Sequence, residues 1–439
     1  MHKNIFYLIL LFVFSFASHS EEILTNNYDS AHSVILNGAL AGNIQSRSQN
    51  KTTIKRLIHS QIKYSIGQLN GLDGGTPNLN SVKLKIQSIQ YNYELQLYDV
   101  SYQAKLIVAW PKYTHIPDSY KLILPKQAEK YFLQSFVNEF GNQNNCIDQY
   151  AHDITVSNFW YYYRPEKTYC PLKNLSQESS KKFVYHLPLL LRKSEENTEG
   201  RFPEYGQIWE DGQLEATLIF GQYKNLSSSD EGVQAYHVAI QSLVRNFGLP
   251  ISSNLDEETQ NNLIYFRDGI NHPEIELIFN TPNGKLKVSL FLISGIRTPG
   301  DEFIKKYSEK TKTSDFVSYN GHSGLGANIR ALANMGEFNS NQYQIFFING
   351  CDTFSYIDDA LGVAHKRVNP QYPQSKFLDL ITNAMPSYFS DMGQSNTKII
   401  KALVNQNKTY REILSEINKI QRAIVSGEED NQWPKSFYP

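Results

Sequence analysis

Two apolar runs in the second half of the chain each end on small residues and then present one reactive side chain. The first run, within residues 315–326, ends with Asn320 and Gly321 and is followed by His322. The second, within residues 343–351, ends with Asn349 and Gly350 and is followed by Cys351. A thiol beside an imidazole is the smallest set of groups that supports nucleophilic catalysis by cysteine.

The chain between these residues has the elements needed to bring them together. Both runs are typical of short buried strands, and residues 327–335 are predicted to form a helix between them. Two parallel strands joined by a helix end at the same edge of a sheet, where ligands bind in open α/β folds. We therefore expect His322 and Cys351 to lie at one edge of a parallel sheet.

The residue types fit acyl transfer. Cys351 is the expected nucleophile. His322 is expected to act first as the base that takes the thiol proton and then as the acid that protonates the leaving amine. The developing oxyanion needs fixed donors, for which the backbone amides of Cys351 and of Ser323 or Gly324 are the candidates. Gly324 and Gly350 allow the backbone to approach a substrate closely. The sequence identifies no third residue that orients His322.

His322 and Cys351 can each also be explained without catalysis. A single cysteine after an apolar strand is commonly a small buried hydrophobic residue, and a histidine in a glycine-rich turn is commonly a polar loop residue. Their occurrence at corresponding strand ends favours the catalytic interpretation. The stretch from Gly321 to Gly326 lacks the lysine and hydroxyl residue of a phosphate-binding loop, so we discount that function.

Composition narrows the classes of function. The formal net charge is −1, which provides no overall field for nucleic acid, and 28 tyrosines and 24 phenylalanines indicate a folded, strand-rich protein. Of the three cysteines, we expect Cys146 and Cys170, which flank one segment, to form a disulfide and Cys351 to stay free. Neither Cys146 nor Cys170 has a second cysteine or histidine at zinc-like spacing, so no metal is expected.

The first residues resemble a targeting segment. Lys3 precedes an apolar stretch that is too short to span a bilayer, and small residues follow it. We expect residues 1–20 to be a signal peptide and the protein to be secreted or periplasmic. No later stretch is apolar for long enough to predict an integral membrane segment after removal of that signal.

Changes in composition predict two domains. Residues 22–190 are expected to form a strand-rich α+β domain of unknown role, although its first part, to about residue 50, is polar and is predicted to be a flexible lead. Its aromatic run at residues 160–164 is interpreted either as a sugar- or peptide-stacking surface or as a strand with buried rings. Residues 191–204 are the predicted linker, and residues 426–439 are a polar tail.

The second predicted domain, residues 205–425, alternates strands and helices and is expected to be α/β. An N-capped helix follows a strand at 214–220, and Thr281-Pro-Asn-Gly marks a hairpin. A capping box at Thr409–Glu412 begins the last helix.

This order of strands resembles the caspase–hemoglobinase superfamily of cysteine peptidases over roughly residues 205–425. In that family the histidine follows the third core strand beside glycine, and the cysteine follows the fourth behind a small residue; Gly321-His322 and Gly350-Cys351 occupy these places. The chain differs in having Ser323 directly after the histidine, where the family has glycine. The resemblance implies an open, mostly parallel sheet flanked by helices.

Three functions remain open at this point. The first is an exported caspase-like cysteine peptidase that hydrolyses amide bonds of a peptide or protein substrate with His322 and Cys351 and without a cofactor. The second is a non-catalytic binding or adaptor protein that keeps the fold and contacts its ligand through the aromatic first domain. The third is a cysteine transferase that joins peptides.

Overall fold

The computed structural model describes residues 27–427 except 73, 143–145, 152 and 225–226. The predicted signal peptide lies outside the described residues, as does the predicted tail beyond residue 427. The described chain forms two sheets, one of five strands and one of eight, so the protein is a mixed α/β protein. No helix within the described ranges is long and apolar enough to cross a membrane.

The N-terminal part, residues 33–193, is built on the five-stranded antiparallel sheet, in the order β2-β3-β1-β5-β4. Its helices pack their apolar faces against this sheet around one hydrophobic core. The elements are β1 (Ser33–Ser46), α1 (Lys51–Ile62), α2 (Tyr64–Leu72), β2 (Thr76–Asn92), β3 (Leu97–Pro111), β4 (Ser119–Pro125), α3 (Lys130–Phe140), α4 (Phe159–Tyr162), α5 (Glu178–Phe183) and β5 (Val184–Lys193).

The C-terminal part, residues 205–426, contains the eight-stranded sheet. Its elements are α6 (Tyr205–Ile208), β6 (Gln213–Gly221), α7 (Glu231–Phe247), β7 (Ser252–Ser253), α8 (Glu257–Asn261), β8 (Glu274–Thr281), β9 (Gly284–Ile293), α9 (Asp301–Thr311), β10 (Phe316–Asn320), α10 (Ala327–Met335), β11 (Gln344–Asn349), α11 (Ala360–Val368), β12 (Leu378–Asn383), α12 (Phe389–Asn405), α13 (Tyr410–Glu416) and β13 (Ala423–Ser426). Short 3-10 turns lie at Leu263–Tyr265, Gly324–Gly326 and Thr353–Tyr356.

The strand order in this sheet is β13-β12-β11-β10-β6-β9-β8-β7. The five central strands, β12 to β9, are parallel, whereas β13, β8 and β7 pair antiparallel at the two sides. Strand β9 lies beside β6 on one side, and β10, the next strand along the chain, lies beside β6 on the other. The order of strands therefore reverses between β6 and β10, and such a switch point opens a crevice at the carboxyl ends of the strands.

Burial explains why the central strands read as continuous apolar runs. Every residue of β10, β11 and β12 is buried, because hydrophobic cores cover both faces of the sheet. Helices α7, α12 and α13 contribute to one core, and α9, α10 and α11 to the other. The predicted hairpin is formed by β8 and β9, and the predicted capping box of α13 is present.

The prediction of a flexible lead was wrong for residues 33–46. These residues form β1, the central strand of the first sheet, paired with both β3 and β5. Its apolar residues alternate with small ones, among them Gly38 and Gly42, which made the segment look polar. A Cβ at Gly42 would lie 2.2 Å from the Tyr102 ring, so glycine is required where that ring crosses the strand.

The aromatic run is a short helix, α4, and not a strand. Phe159 and Tyr163 are fully buried in the first core, whereas Trp160 and Tyr161 face the C-terminal part. A strand would send consecutive rings to opposite faces, but here the rings are spread around one helical turn. The other end of this part also differs from expectation, since β5 continues through residues 191–193 of the predicted linker.

The two parts pack directly on each other. A small buried cluster at their contact contains Ile35 and Ala109 of the N-terminal part, Phe354, Ala384 and Ile424 of the C-terminal part, and Tyr28, which precedes β1. The Asn80 side chain donates 2.9 Å hydrogen bonds to the backbone carbonyls of Tyr356 and Ile357. The N-terminal part therefore reaches the 3-10 turn that follows Cys351.

Candidate active site

His322 lies at the switch point, directly beyond β10. Its side chain is exposed, and its Nε2 atom is 3.3 Å from the backbone carbonyl oxygen of Tyr223, which follows β6. A carbonyl oxygen only accepts, so Nε2 carries a proton in this bond, and in the neutral form of the imidazole the lone pair is then on Nδ1. The Tyr223 carbonyl therefore supplies the orienting group that the sequence did not identify, and it does so through the backbone.

Aromatic rings hold the imidazole in place. The rings of Tyr223 and Phe389 lie 5.1 and 5.7 Å from the His322 ring, and they lie 5.6 Å from each other. Phe389 begins α12, so rings from elements distant in sequence form one cluster with the imidazole. Such contacts restrict the side-chain torsions of an otherwise exposed residue.

The backbone after His322 is fixed by hydrogen bonds. The Tyr319 hydroxyl donates a 3.1 Å bond to the His322 carbonyl oxygen, and Asn328 Nδ2 donates a 2.6 Å bond to the same atom. Gly324 has φ +57, and a Cβ there would lie 2.4 Å from Asn328 Oδ1. Glycine is therefore required in this turn, and the turn presents its backbone amides in a fixed direction.

Gly350 brings the two reactive loops into contact. A Cβ at this position would lie 2.7 Å from the carbonyl oxygen of Gly321 and 3.2 Å from the amide nitrogen of Ser323. The Gly321 amide also donates a 3.2 Å bond to the Asn349 carbonyl. The Ser323 amide thus lies beside the residue that precedes Cys351, which is where an oxyanion donor is needed.

Cys351 is the free cysteine, and its side chain is half-buried. Its thiol donates to the carbonyl oxygen of Ser387 at 3.8 Å, and no hydrogen bond joins it to His322 among the described residues. Burial, together with the Asp352 carboxylate, raises the pKa of the Cys351 thiol to about 12. The resting side chain is therefore a neutral thiol, and attack requires a base that removes its proton.

Asp352 connects this loop to the N-terminal part. The residue has φ +50, a left-handed conformation that aspartate tolerates, and its side chain is fully buried. Its carboxylate accepts a 2.9 Å bond from Asn70 Nδ2 and a 2.7 Å bond from the Tyr161 hydroxyl. Burial raises the pKa of Asp352 to about 6, although these two bonds oppose the rise.

The disulfide supports the segment that carries Tyr161. Cys146 and Cys170 are bonded, as the sequence predicted, and lie on either side of α4. Within the enclosed loop, Arg164 forms a 3.0 Å ion pair with Asp148 and its amide donates to the Cys146 carbonyl at 2.7 Å. The cross-link therefore restrains the short helix that contacts the Cys351 loop.

A buried polar network lies beneath the two reactive loops. Strands β10, β11 and β12 all end in asparagine, and these residues, Asn320, Asn349 and Asn383, form a ladder across the sheet. Asn349 Nδ2 donates to Asn320 Oδ1 at 2.9 Å, and Asn383 Nδ2 donates to Asn349 Oδ1 at 3.0 Å. The same Asn349 oxygen accepts 2.6 and 2.9 Å bonds from Ser387 and Gln421.

This asparagine ladder fixes the strand ends from which the loops depart. All its members are fully or almost fully buried, and such a network holds one arrangement only when its bonds are made. The repeated asparagine at the ends of these strands is a signal in the sequence. The network was not predicted, because each asparagine taken alone indicates only a strand end. Ser387 connects the asparagine ladder to the cysteine site, because its carbonyl accepts from the Cys351 thiol and its hydroxyl donates to Asn349.

Comparison with known proteins adds no family assignment. No protein-family model matches the chain, and neither a curated protein nor a solved structure is significantly similar to it. The site itself offers an oriented imidazole, a neutral thiol in the adjoining loop, and backbone amides between them.

Proposed function

We propose that the protein is a caspase-like cysteine peptidase that hydrolyses amide bonds with His322 and Cys351. The observation that carries this proposal is the contact of Gly350 with Gly321 and Ser323, which joins the two reactive loops at the carboxyl ends of adjacent parallel strands. The caspase–hemoglobinase arrangement is supported by the parallel strand order, in which β10 is the third and β11 the fourth parallel strand along the chain.

The mechanism uses His322 as a general base. Its Nδ1 lone pair accepts the thiol proton as the Cys351 sulfur attacks the substrate carbonyl, and the Tyr223 carbonyl stabilises the imidazolium that forms. The backbone amides of Ser323 or Gly324 and of Cys351 donate to the oxyanion. The imidazolium then protonates the leaving amine, and water hydrolyses the thioester to release the acid and restore the thiol.

The raised pKa of Cys351 favours proton transfer during attack over a thiolate–imidazolium pair that exists before substrate binds. A thiol with a pKa of about 12 holds almost no thiolate at neutral pH. Catalysis then depends on proton transfer during attack, as it does for serine with histidine. Export to an oxidising compartment is supported by the Cys146–Cys170 disulfide.

Fluorescein-labelled casein tests the activity without knowledge of sequence preference. We expect the wild-type protein to release labelled peptides, and Cys351→Ala and His322→Ala to release none. Cys351→Ser keeps an oxygen nucleophile of similar shape and should be far slower than wild type.

The second candidate is a binding protein that keeps this fold without turnover. The neutral, half-buried thiol without a hydrogen bond to His322 is the observation that favours it. If it is correct, wild type and Cys351→Ala will leave casein equally intact. Equal release of peptides by both proteins would instead identify a contaminating protease and would also contradict the proposal.

A further inference from the structure

The strands of the first sheet run from the contact with the C-terminal part to the opposite end of the N-terminal part. Strand β1 has 14 residues and spans about 40 Å, and Ile35, near its start, lies in the buried cluster at that contact. Its last residue, Ser46, pairs with Tyr98 near the start of β3, and the Gln45 amide donates a 2.8 Å bond to the Lys126 carbonyl just beyond β4. The chain beyond these strand ends, residues 47–51, 93–96 and 126–131, forms a surface that we call the distal end.

The distal end exposes large side chains with apolar surface. Tyr93 and Leu95, in the turn between β2 and β3, are 85% and 52% exposed, and Tyr131, in the first turn of α3, is 66% exposed. The Tyr93 ring lies 5.0 Å from the ring of Tyr91, which lies 5.0 Å from the ring of Tyr98, so these three rings form one cluster. Exposed apolar side chains scattered singly are normal, whereas several gathered on one surface mark an interaction site.

The same surface carries an excess of positive charge. The Arg47 guanidinium carbon lies 4.8 Å from the centre of the Tyr131 ring, and the Arg47 amide donates a 3.2 Å bond to Glu129 Oε1. Helices α1 and α3 both begin here, and the N-terminal end of a helix carries a partial positive charge. The three segments of the distal end together contain four basic residues and two acidic ones: Arg47, Lys51, Lys126, Lys130, Glu94 and Glu129.

This combination of groups matches the surface of a lipid bilayer with anionic headgroups. Tyrosine rings are favoured at the boundary between headgroups and acyl chains, because the ring is apolar and the hydroxyl stays in water. Lysine and arginine are attracted by the negative potential of such a surface, and this attraction falls off within about 10 Å. The chain as a whole has a formal net charge of −1, so the attraction acts locally at the distal end and orients the protein.

We propose that the distal end docks on an anionic lipid bilayer. Tyr93 and Leu95 insert among the headgroups, and Arg47, Lys51 and Lys130 face the lipid phosphates. A soft bilayer accommodates side chains that project from a turn, whereas a folded protein partner needs a matching hollow. The candidate active site belongs to the C-terminal part, which packs at the opposite end of β1, so the docked protein keeps that site toward solution.

Co-sedimentation with lipid vesicles tests the docking. The chain from residue 21 onward is used, because the apolar stretch before it would bind vesicles by itself and the described fold begins at residue 27. At low salt we expect roughly tenfold tighter binding to vesicles of equal parts phosphatidylcholine and phosphatidylglycerol than to phosphatidylcholine alone, because the basic residues contribute only at a charged surface.

Tyr93→Ser combined with Leu95→Ser tests the inserted side chains. Binding to the mixed vesicles should weaken roughly tenfold or more, because neither side chain then leaves water on docking. The matched control is Tyr265→Ser combined with Leu249→Ser in the C-terminal part, where the two side chains are 76% and 51% exposed. The control should bind like wild type, and both variants should keep the wild-type urea midpoint because all four positions are exposed.

Lys51→Gln combined with Lys130→Gln tests the charges. Affinity for the mixed vesicles should fall severalfold, whereas affinity for phosphatidylcholine alone should not change. Lys305→Gln combined with Lys401→Gln removes the same charge from exposed positions on α9 and α12 of the C-terminal part and should have no effect on either vesicle.

Absence of co-sedimentation with the mixed vesicles, equal affinity for the two vesicle types, or equal losses in the variants and their controls would each overturn the proposal. The same holds if wild type leaves both vesicles unbound but forms a dimer in light scattering that Tyr93→Ser with Leu95→Ser abolishes, because the surface then belongs to a second copy of the chain. None of these results requires turnover, so they are independent of the proposed peptidase activity.

Discussion

The Tyr161 hydroxyl donates a 2.7 Å hydrogen bond to the carboxylate of Asp352, the residue directly after the free cysteine. This bond crosses from the aromatic helix of the N-terminal part to the cysteine loop of the C-terminal part. The N-terminal part therefore contacts a charged group that acts on the thiol. Burial is the larger cause of the raised pKa of Cys351, and the Asp352 carboxylate is the second.

Asp352→Asn should make Cys351 more reactive toward alkylation. The change removes the negative charge beside the thiol, which lowers its pKa, whereas the burial that dominates the shift remains. We expect a severalfold faster reaction with iodoacetamide at pH 8. Asp359→Asn, an exposed carboxylate farther along the same segment, is the control and should react like wild type. Equal rates for all three proteins would contradict the assigned influence of Asp352.

Asp352 should also make stability depend on pH. Its pKa is raised from 3.8 to about 6 in the folded protein, so the folded state keeps the proton after the unfolded state has released it. Its contribution to stability is fully present below pH 3.8 and is lost as pH rises to about 6. The free energy of unfolding from urea titrations should fall less between pH 4 and pH 7 in Asp352→Asn than in wild type. The same fall in both proteins would contradict the assigned pKa.

Tyr161→Phe should destabilise the contact between the two parts. The buried Asp352 oxygen loses its hydroxyl donor, and a bond to a charged group is worth about 1–3 kcal/mol. We expect the free energy of unfolding from urea titrations at pH 7 to fall by about that amount. Tyr169→Phe, at a tyrosine that is 83% exposed, should change the free energy of unfolding by less than about 0.5 kcal/mol. Similar free energies of unfolding for the two variants would show that the bond is not made in solution.

Asn349→Ala should cost about 3 kcal/mol or more of unfolding free energy. It leaves the buried groups of Asn383, Ser387 and Gln421 without their common acceptor. Asn320 loses one of its two donors, and Asn396 remains as the other. Asn334→Ala on the exposed face of α10 removes the same side chain from the surface and should be nearly neutral. A comparably small effect at both positions would mean that the asparagine ladder does not hold the strand ends.

Local patterns predicted much of the fold. The capping box at Thr409, the hairpin between β8 and β9, and the helix at 327–335 all depend on residues near each other in sequence, and all were correct. The disulfide was predictable because only two cysteines flank a common segment. Strand β1 was missed because its glycines are explained only by the crossing Tyr102 ring, which is distant in sequence.

The sequence predicted part of the geometry of the candidate site. His322 and Cys351 were identified from strand-end patterns, and Gly350 and Ser323 lie where the two loops touch. The Tyr223 carbonyl could not be predicted, because a backbone group leaves no signal in residue type. The roles of Asn70 and Tyr161 could not be predicted either, because they depend on how two separately built sheets pack.

The central claim is that His322 activates Cys351, and the pH dependence of iodoacetamide alkylation at Cys351 tests it most directly. Without help, a thiol with a pKa of about 12 reacts negligibly at pH 7. The account predicts measurable alkylation of wild-type Cys351 near neutral pH, with loss of that rate in His322→Ala and retention in His272→Ala, a partly exposed histidine paired with Asp268. An inert Cys351 in wild type, or the same rate profile in wild type and His322→Ala, would contradict it.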